Sequence, residues 1–231
     1  MPESKSNSKL PDFEGFTPKA GEFFWELVFN NERSWFIEHK PQFEKLINTP
    51  LKSLAAETTA IMQKDYPLSD FDCHISRIYR DARRLHGKGP YKDHLWFSLK
   101  NRPNENNGPV FFFEISPKDW CYGMGFYCAK SREMEAFRKS VDANPGRFER
   151  LAEEVAALPG IQMEGERYKK PKGDYGDTVN EWYNRKYMSV IWRNDFGGEL
   201  FSPNLPAKLA ETYRALMHMY EYLNTFCRDY P

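Results

Sequence analysis

The sequence changes texture at Phe71 and changes back after Cys128, and this limits the fold more than any other feature of the chain. Before Phe71 the apolar residues recur at helical spacing. Thr17-Pro18 forms an N-cap and N1 pair ahead of Phe23, Phe24, Leu27 and Val28. Asn31-Glu32 is a second start signal, with an Asn cap ahead of Trp35, Phe36 and His39; Pro41 is expected either to kink that helix or to begin the next turn. Thr49-Pro50 repeats the cap-plus-proline pattern, and Leu51, Leu54, Ala55, Thr58, Ile61 and Met62 keep the period up to Tyr66-Pro67. The stretches 73–79, 94–99, 110–115 and 120–128 are different: short, rich in aromatic and β-branched residues, and bounded by Gly, Pro and Asn, as strands are. Ser116-Pro117-Lys118-Asp119 places proline where a type I turn takes it, so the last two strands are expected to form an antiparallel hairpin. In the fourth stretch Trp120, Tyr122, Met124, Phe126 and Cys128 alternate with Cys121, Gly123, Gly125 and Tyr127, giving one bulky and one thin face. The bare positions admit another backbone, a helix or a ligand.

Helical spacing returns at 131–141 and 145–158, the second starting at Asn144-Pro145-Gly146 and ending at Pro159-Gly160. Residues 161–168 read as extended, 178–187 as a short helix, 188–193 as a strand, and 205–226 as a terminal helix with Leu209, Tyr213, Leu216, Tyr220 and Leu223 on one stripe. Helices, a run of strands, then helices again argue for a single α+β domain over 13–231, after a flexible tail at 1–12. Its centre is a mainly antiparallel sheet with helices packed on one face and an N-terminal helical segment.

Eighteen Phe, thirteen Tyr and six Trp supply ample area for a core in 231 residues. No apolar run approaches the roughly 20 residues that a membrane span needs. The N-terminal M-P-E-S-K-S-N-S-K-L-P has no apolar h-region, so the expectation is a cytoplasmic protein without a secretory signal. In that setting Cys73, Cys121, Cys128 and Cys227, which form no C-x-x-C pair, read as reduced core thiols.

Net charge is zero but unevenly placed: residues 74–102 carry +6, against −4 before them and −2 after. The concentration peaks at 76–92, S-R-I-Y-R-D-A-R-R-L-H-G-K-G-P-Y-K, where six cationic side chains meet one carboxylate. Local basicity in a neutral chain suits a concentrated site for a small anion or a limited acidic surface better than a coat for nucleic acid. Guanidinium groups grip planar oxyanions bidentately, which assigns anion binding to Arg77, Arg80 and Arg83 together with Lys88 and Lys92. Backbone N–H groups around Gly87-Lys88-Gly89 are suited to an anion-binding nest. Lys88 is followed by Gly89-Pro90 and no hydroxyl residue, so the turn is not a P-loop.

Among arginines, the Asp81 carboxyl is a poor general base and a good clamp, expected on Arg77 or Arg83. For proton transfer His86 and His74 are the better candidates by type. The structural alternative is an ion network of Arg80, Asp81 and Arg83 at a sheet–helix junction, with Tyr91 and Trp96 packed as core. A second basic cluster, Arg167, Lys169, Lys170 and Lys172, sits in a Pro/Gly loop that reads as a solvated surface or as a cover for the same anion site. The five histidines show no zinc-type spacing, so neither a metal nor another cofactor is assigned.

Arg80-Asp81-x-Arg83 with Lys88-x-Pro90-Tyr91-Lys92 resembles the signature of the domain of unknown function 2461 family. Gly15-Phe16, Asn30-Asn31-x-Arg33-x-Trp35-Phe36, Gly123-x-Gly125 and Lys170-Pro171-Lys172-Gly173 occur in the family's order across nearly the whole chain. The family pattern has an aromatic after the arginine of R-D-x-R, where this chain has Arg84-Leu85-His86. The resemblance implies a site and no reaction. Two functions stay open: a binder of a small phosphate- or carboxylate-bearing anion, which acts on it if it is an enzyme, and a non-catalytic module whose basic face docks nucleic acid or an acidic protein. A concave motif with convergent donors favours the first, a flat basic face the second.

Overall fold

The computed structural model describes residues 10–81, 83, 89–101, 108–127 and 129–227. Its N-terminal helices are α1 (Pro18–Phe29), α2 (Arg33–Phe43) and α3 (Thr49–Asp65). Pro18 opens α1, where its missing N–H forfeits no helical bond. Pro41 does not end α2. The chain runs through it and, by way of a π turn at Glu44–Asn48, directly into α3, so Thr49-Pro50 lies within a continuous helical path. A proline ring crowds the carbonyl one turn back and cannot donate to it; a widened turn ahead of Pro50 accommodates both.

The strand block holds β1 (Phe71–Ile75), β2 (Leu95–Asn101), β3 (Val110–Ile115) and β4 (Asp119–Phe126), each antiparallel to the next. β1 is shorter than the expected 73–79, because the chain leaves the ladder after Ile75. The expected hairpin joins β3 to β4, with Ser116 N donating to Asp119 O at 2.9 Å. Then come α4 (Ser131–Ala143) and α5 (Pro145–Ala156), the latter capped by the Asn144 side chain, which accepts from Arg147 N. β5 (Gln162–Glu164), α6 (Asp177–Tyr183) and β6 (Met188–Asp195) follow, and β6 inserts beside β4. The sheet order is β1-β2-β3-β4-β6-β5, antiparallel throughout. The expected terminal helix is two helices, α7 (Leu205–Ala215) and α8 (Met217–Asn224), meeting at Leu216.

The fold is α+β, with the main core on one face of the sheet. Period-two alternation sends Phe97, Phe113, Trp120, Tyr122, Met124 and Val190 into that core. Tyr213 of α7 and Tyr220 of α8 stack on Phe111, with centroids at 4.8 and 4.4 Å. Their hydroxyls bind strand backbone: Tyr213 donates to Phe112 O and Tyr220 accepts from Asn101 N, both at 2.8 Å. Such rings add edge-specific hydrogen bonds to a large apolar burial, which aligns helix with strand. The thin positions of β4 are filled from within the chain. A Cβ at Gly123 would lie 1.9 Å from Val190 O, and one at Gly125 would lie 1.9 Å from the Tyr127 ring. Among the described residues no helix is long and apolar enough to cross a membrane.

Candidate functional site

Between β1 and β2 the chain makes the excursion that carries the basic motif. Its two arms stay paired beyond the ladder: Lys92 N donates to Ile78 O and Arg80 N to Pro90 O, both at 2.8 Å, and Tyr79 bridges Tyr91. Ala82 and residues 84–88 lie outside the described residues, and with them Lys88, His86, Arg84 and the Gly87-Lys88 part of the expected nest. Gly89 has a different use, since a Cβ there would sit 2.3 Å from the Asn31 side chain. Asn31 does not cap α2, whose N-cap is Glu32. Its amide instead clamps Tyr91, Nδ2 donating to Tyr91 O (3.0 Å) and Oδ1 accepting from Tyr91 N (2.9 Å). Phe36 stacks on the buried Tyr91 ring at 4.2 Å and Tyr79 flanks it at 5.2 Å. The helix-boundary asparagine and the Pro-Tyr-Lys turn are thus one latch, holding the excursion against α1 and α2.

The charged residues separate into two groups. Arg80 is half-buried and fixed: Nε donates to Tyr91 O at 2.7 Å and Nη2 reaches Asp93 Oδ1 at 3.4 Å. Arg83 is exposed and gripped bidentately by Asp81, Nε to Oδ1 at 3.0 Å and Nη2 to Oδ2 at 2.7 Å. Asp81 also accepts from Arg83 N at 3.0 Å, a tight local turn. Asp81 is thus paired with Arg83, while the carboxylate bridged to Arg80 is Asp93. Burial and the neighbouring Arg80 cation both push the half-buried Lys92 ammonium below its usual pKa.

Arg77, Arg80, Asp81 and Lys92 line one groove of about 620 Å³, together with His74, Ser76, Tyr79, His94 and Trp96. Trp96 is half-buried on the groove wall, not core. Asp93 and His94 are the residues that sequence reasoning passed over. Asp93 Oδ1 is 2.9 Å from His94 Nδ1; a carboxylate only accepts, so Nδ1 carries the proton and Nε2 is the free ring nitrogen. Burial raises the Asp93 pKa, but the His94 hydrogen bond, a backbone N–H and the His94 and Arg80 charges outweigh it and hold the carboxyl below its usual range. The only signal in the sequence was an Asp-His pair directly after Pro-Tyr-Lys.

The second basic cluster is not part of this groove. Arg167 bridges Arg185 beside β5 and β6, whereas the motif hangs from β1 and β2. Five strand spacings of about 4.8 Å separate those edges. Arg167 pairs with Glu181, and Lys172 lies over the Tyr168 ring at 4.8 Å, with Arg138 at 5.4 Å from the same ring. Lys172 N donates to Asn184 Oδ1 at 2.6 Å, and Lys169 and Lys170 are exposed. The loop is pinned to α6 and its own hairpin.

Cys73 and Cys121 carry free thiols, and burial pushes the pKa of Cys121 up to about 12, which makes it a poor nucleophile. Among the described residues no group of three His, Cys, Asp or Glu side chains is placed to hold a metal ion. A family model described as conserved hypothetical protein (DUF2461) matches residues 19–222. No curated protein matches the chain.

Proposed function

The chain belongs to the DUF2461 family of conserved hypothetical proteins, and we propose that it is a cytoplasmic protein that binds a small phosphate- or carboxylate-bearing anion in the basic groove. The observation that carries this reading is the convergence of Arg77, Arg80 and Lys92 on one concavity of about 620 Å³, which a flat docking face for nucleic acid lacks. Arg80 is oriented before any ligand arrives, so binding sacrifices little side-chain freedom there. Arg77 and Lys92 add charge at the wall, and His94, oriented by Asp93, adds one hydrogen-bonding nitrogen. Arg83 stands exposed next to Asp81, and Lys88 is assigned to the same anion by its place in the motif.

A thermal-shift panel of phosphate, nucleotides and organic acids tests the reading. An anion at a hundredfold excess over its Kd stabilises the fold by about 2.7 kcal/mol, or about 5–10 °C for a chain of this size. That shift is expected for the wild type and lost in Arg77→Ala/Lys92→Ala, which removes two wall cations and leaves the Arg80 bonds in place. No shift with any anion, together with salt-sensitive retention on nucleic acid, would replace this reading with the docking module.

A further inference from the structure

The sheet face opposite the main core holds a second groove, of about 510 Å³. Its floor is Phe112, Cys121 and Ile191, a small buried apolar cluster detached from the main core. Trp96 forms one wall and Tyr127 the other; the Tyr127 ring lies back over Gly125 and meets Phe112 edge-on at 5.7 Å. Hydrogen-bonding groups are set among the aromatics: Ser98, Lys100, Glu114, Glu164 and Arg193, with His74 at one end. Arg193 is already paired with Asp119 (3.0 Å) and Glu164 (3.2 Å).

This groove is continuous with the basic one. His74 and Trp96 line both, and their rings pack at 5.3 Å where the two grooves meet. A cationic pocket therefore opens directly onto an aromatic-walled slot. An alkyl chain would find no use for the polar groups along that slot, whereas a flat ring with polar edges uses both its walls and its rim.

We infer that the two grooves are halves of one site, and that the anion bound by Arg77, Arg80 and Lys92 carries a planar aromatic ring which lies between Trp96 and Tyr127 on the open sheet face. The ligand class is an aryl or nucleoside monophosphate, or the corresponding ring carboxylate. This assignment rests on the anion-binding reading above and adds the body of the ligand to its charge. Glu114, whose carboxyl burial pushes above its usual pKa, is one of the polar groups that the ring edge would meet.

The test is calorimetric titration of the full chain with inorganic phosphate, ribose 5-phosphate, phenyl phosphate and the four nucleoside monophosphates. Phenyl phosphate or a nucleotide is expected to bind about tenfold or more tightly than phosphate and ribose 5-phosphate. Tyr127→Ala, at an exposed position outside the basic groove, is expected to erase that advantage and leave phosphate affinity unchanged. Tyr127→Leu keeps an apolar side chain there but removes the ring face, and gives the same readout should Tyr127→Ala fail to fold. Equal affinity for all four kinds of probe would overturn the ring subsite and leave the anion site standing. A ring advantage that survives both substitutions would overturn it too, by placing the ring elsewhere. Binding of no probe at all would bring down the anion site and, with it, this inference.

Discussion

Arg80 sets the geometry of the basic groove through two bonds, one to a carbonyl across the excursion and one to Asp93. Arg80→Ala leaves the Tyr91 carbonyl with only its Asn31 donor and frees Asp93, so stability should fall by about 1–3 kcal/mol in urea titrations. Arg80→Lys should recover little of this, because an ammonium cannot reproduce the fixed fork of a guanidinium. Glu114 makes a prediction of opposite character. Burial, partly offset by the His94 and Arg193 charges, raises its pKa above the ordinary 4.5. Its neutral form is the one the fold prefers, so its contribution is complete below pH 4.5 and is lost as pH rises through the raised value. The Tm advantage of Glu114→Gln over the wild type should therefore grow from pH 4.5 towards neutrality. A difference that stays constant over that range would show the carboxyl to be unperturbed. Asp93 has the reverse sign: its lowered pKa stabilises above 3.8, and the benefit disappears as acid carries it through the folded value.

At the scale of elements, the excursion between β1 and β2 has its own fastening in Asn31, Phe36, Tyr91 and Gly89. Asn31→Ala removes both amide bonds to Tyr91 and should lower stability by about 1–3 kcal/mol. Gly89→Ala drives a methyl to 2.3 Å from the same amide and should destabilise by displacing it. Because both act through one contact, a double-mutant cycle in urea should give a combined loss smaller than the sum of the two; strict additivity would mean that the latch does not exist. This fastening could not be read from the chain, because its partners are 60 residues apart and Asn31 sits where a helix cap is expected. What alternation and turn chemistry govern locally was legible, including the Ser116–Asp119 turn, the Asn144 cap and five of the six strands. The break at Leu216 was hidden for a related reason. Tyr213, Leu216 and Tyr220 continue one apolar stripe, and a stripe registers burial without registering a change of axis.

For the whole molecule, sheet order decides which charges can cooperate. Insertion of β6 between β4 and β5 carries the loop at 167–173 to the edge opposite the basic motif, so two clusters that looked like partners in the sequence serve different surfaces. Arg77, Arg80 and Lys92 were legible as neighbours on one groove because local charge density survives folding. Asp93, His94 and Trp96 were not, since their meaning depends on how the strand arms pair and on which face of the sheet stays open. The central claim is that the convergent cations bind a small anion. The most direct measurement is calorimetric titration of inorganic phosphate into the wild type and into Arg77→Ala/Lys92→Ala, after circular dichroism has shown equal Tm values for the two free proteins. Saturable one-to-one binding to the wild type, weakened about tenfold or more in the variant, is the result expected. Equal affinity for both proteins, or no heat with either, would contradict it.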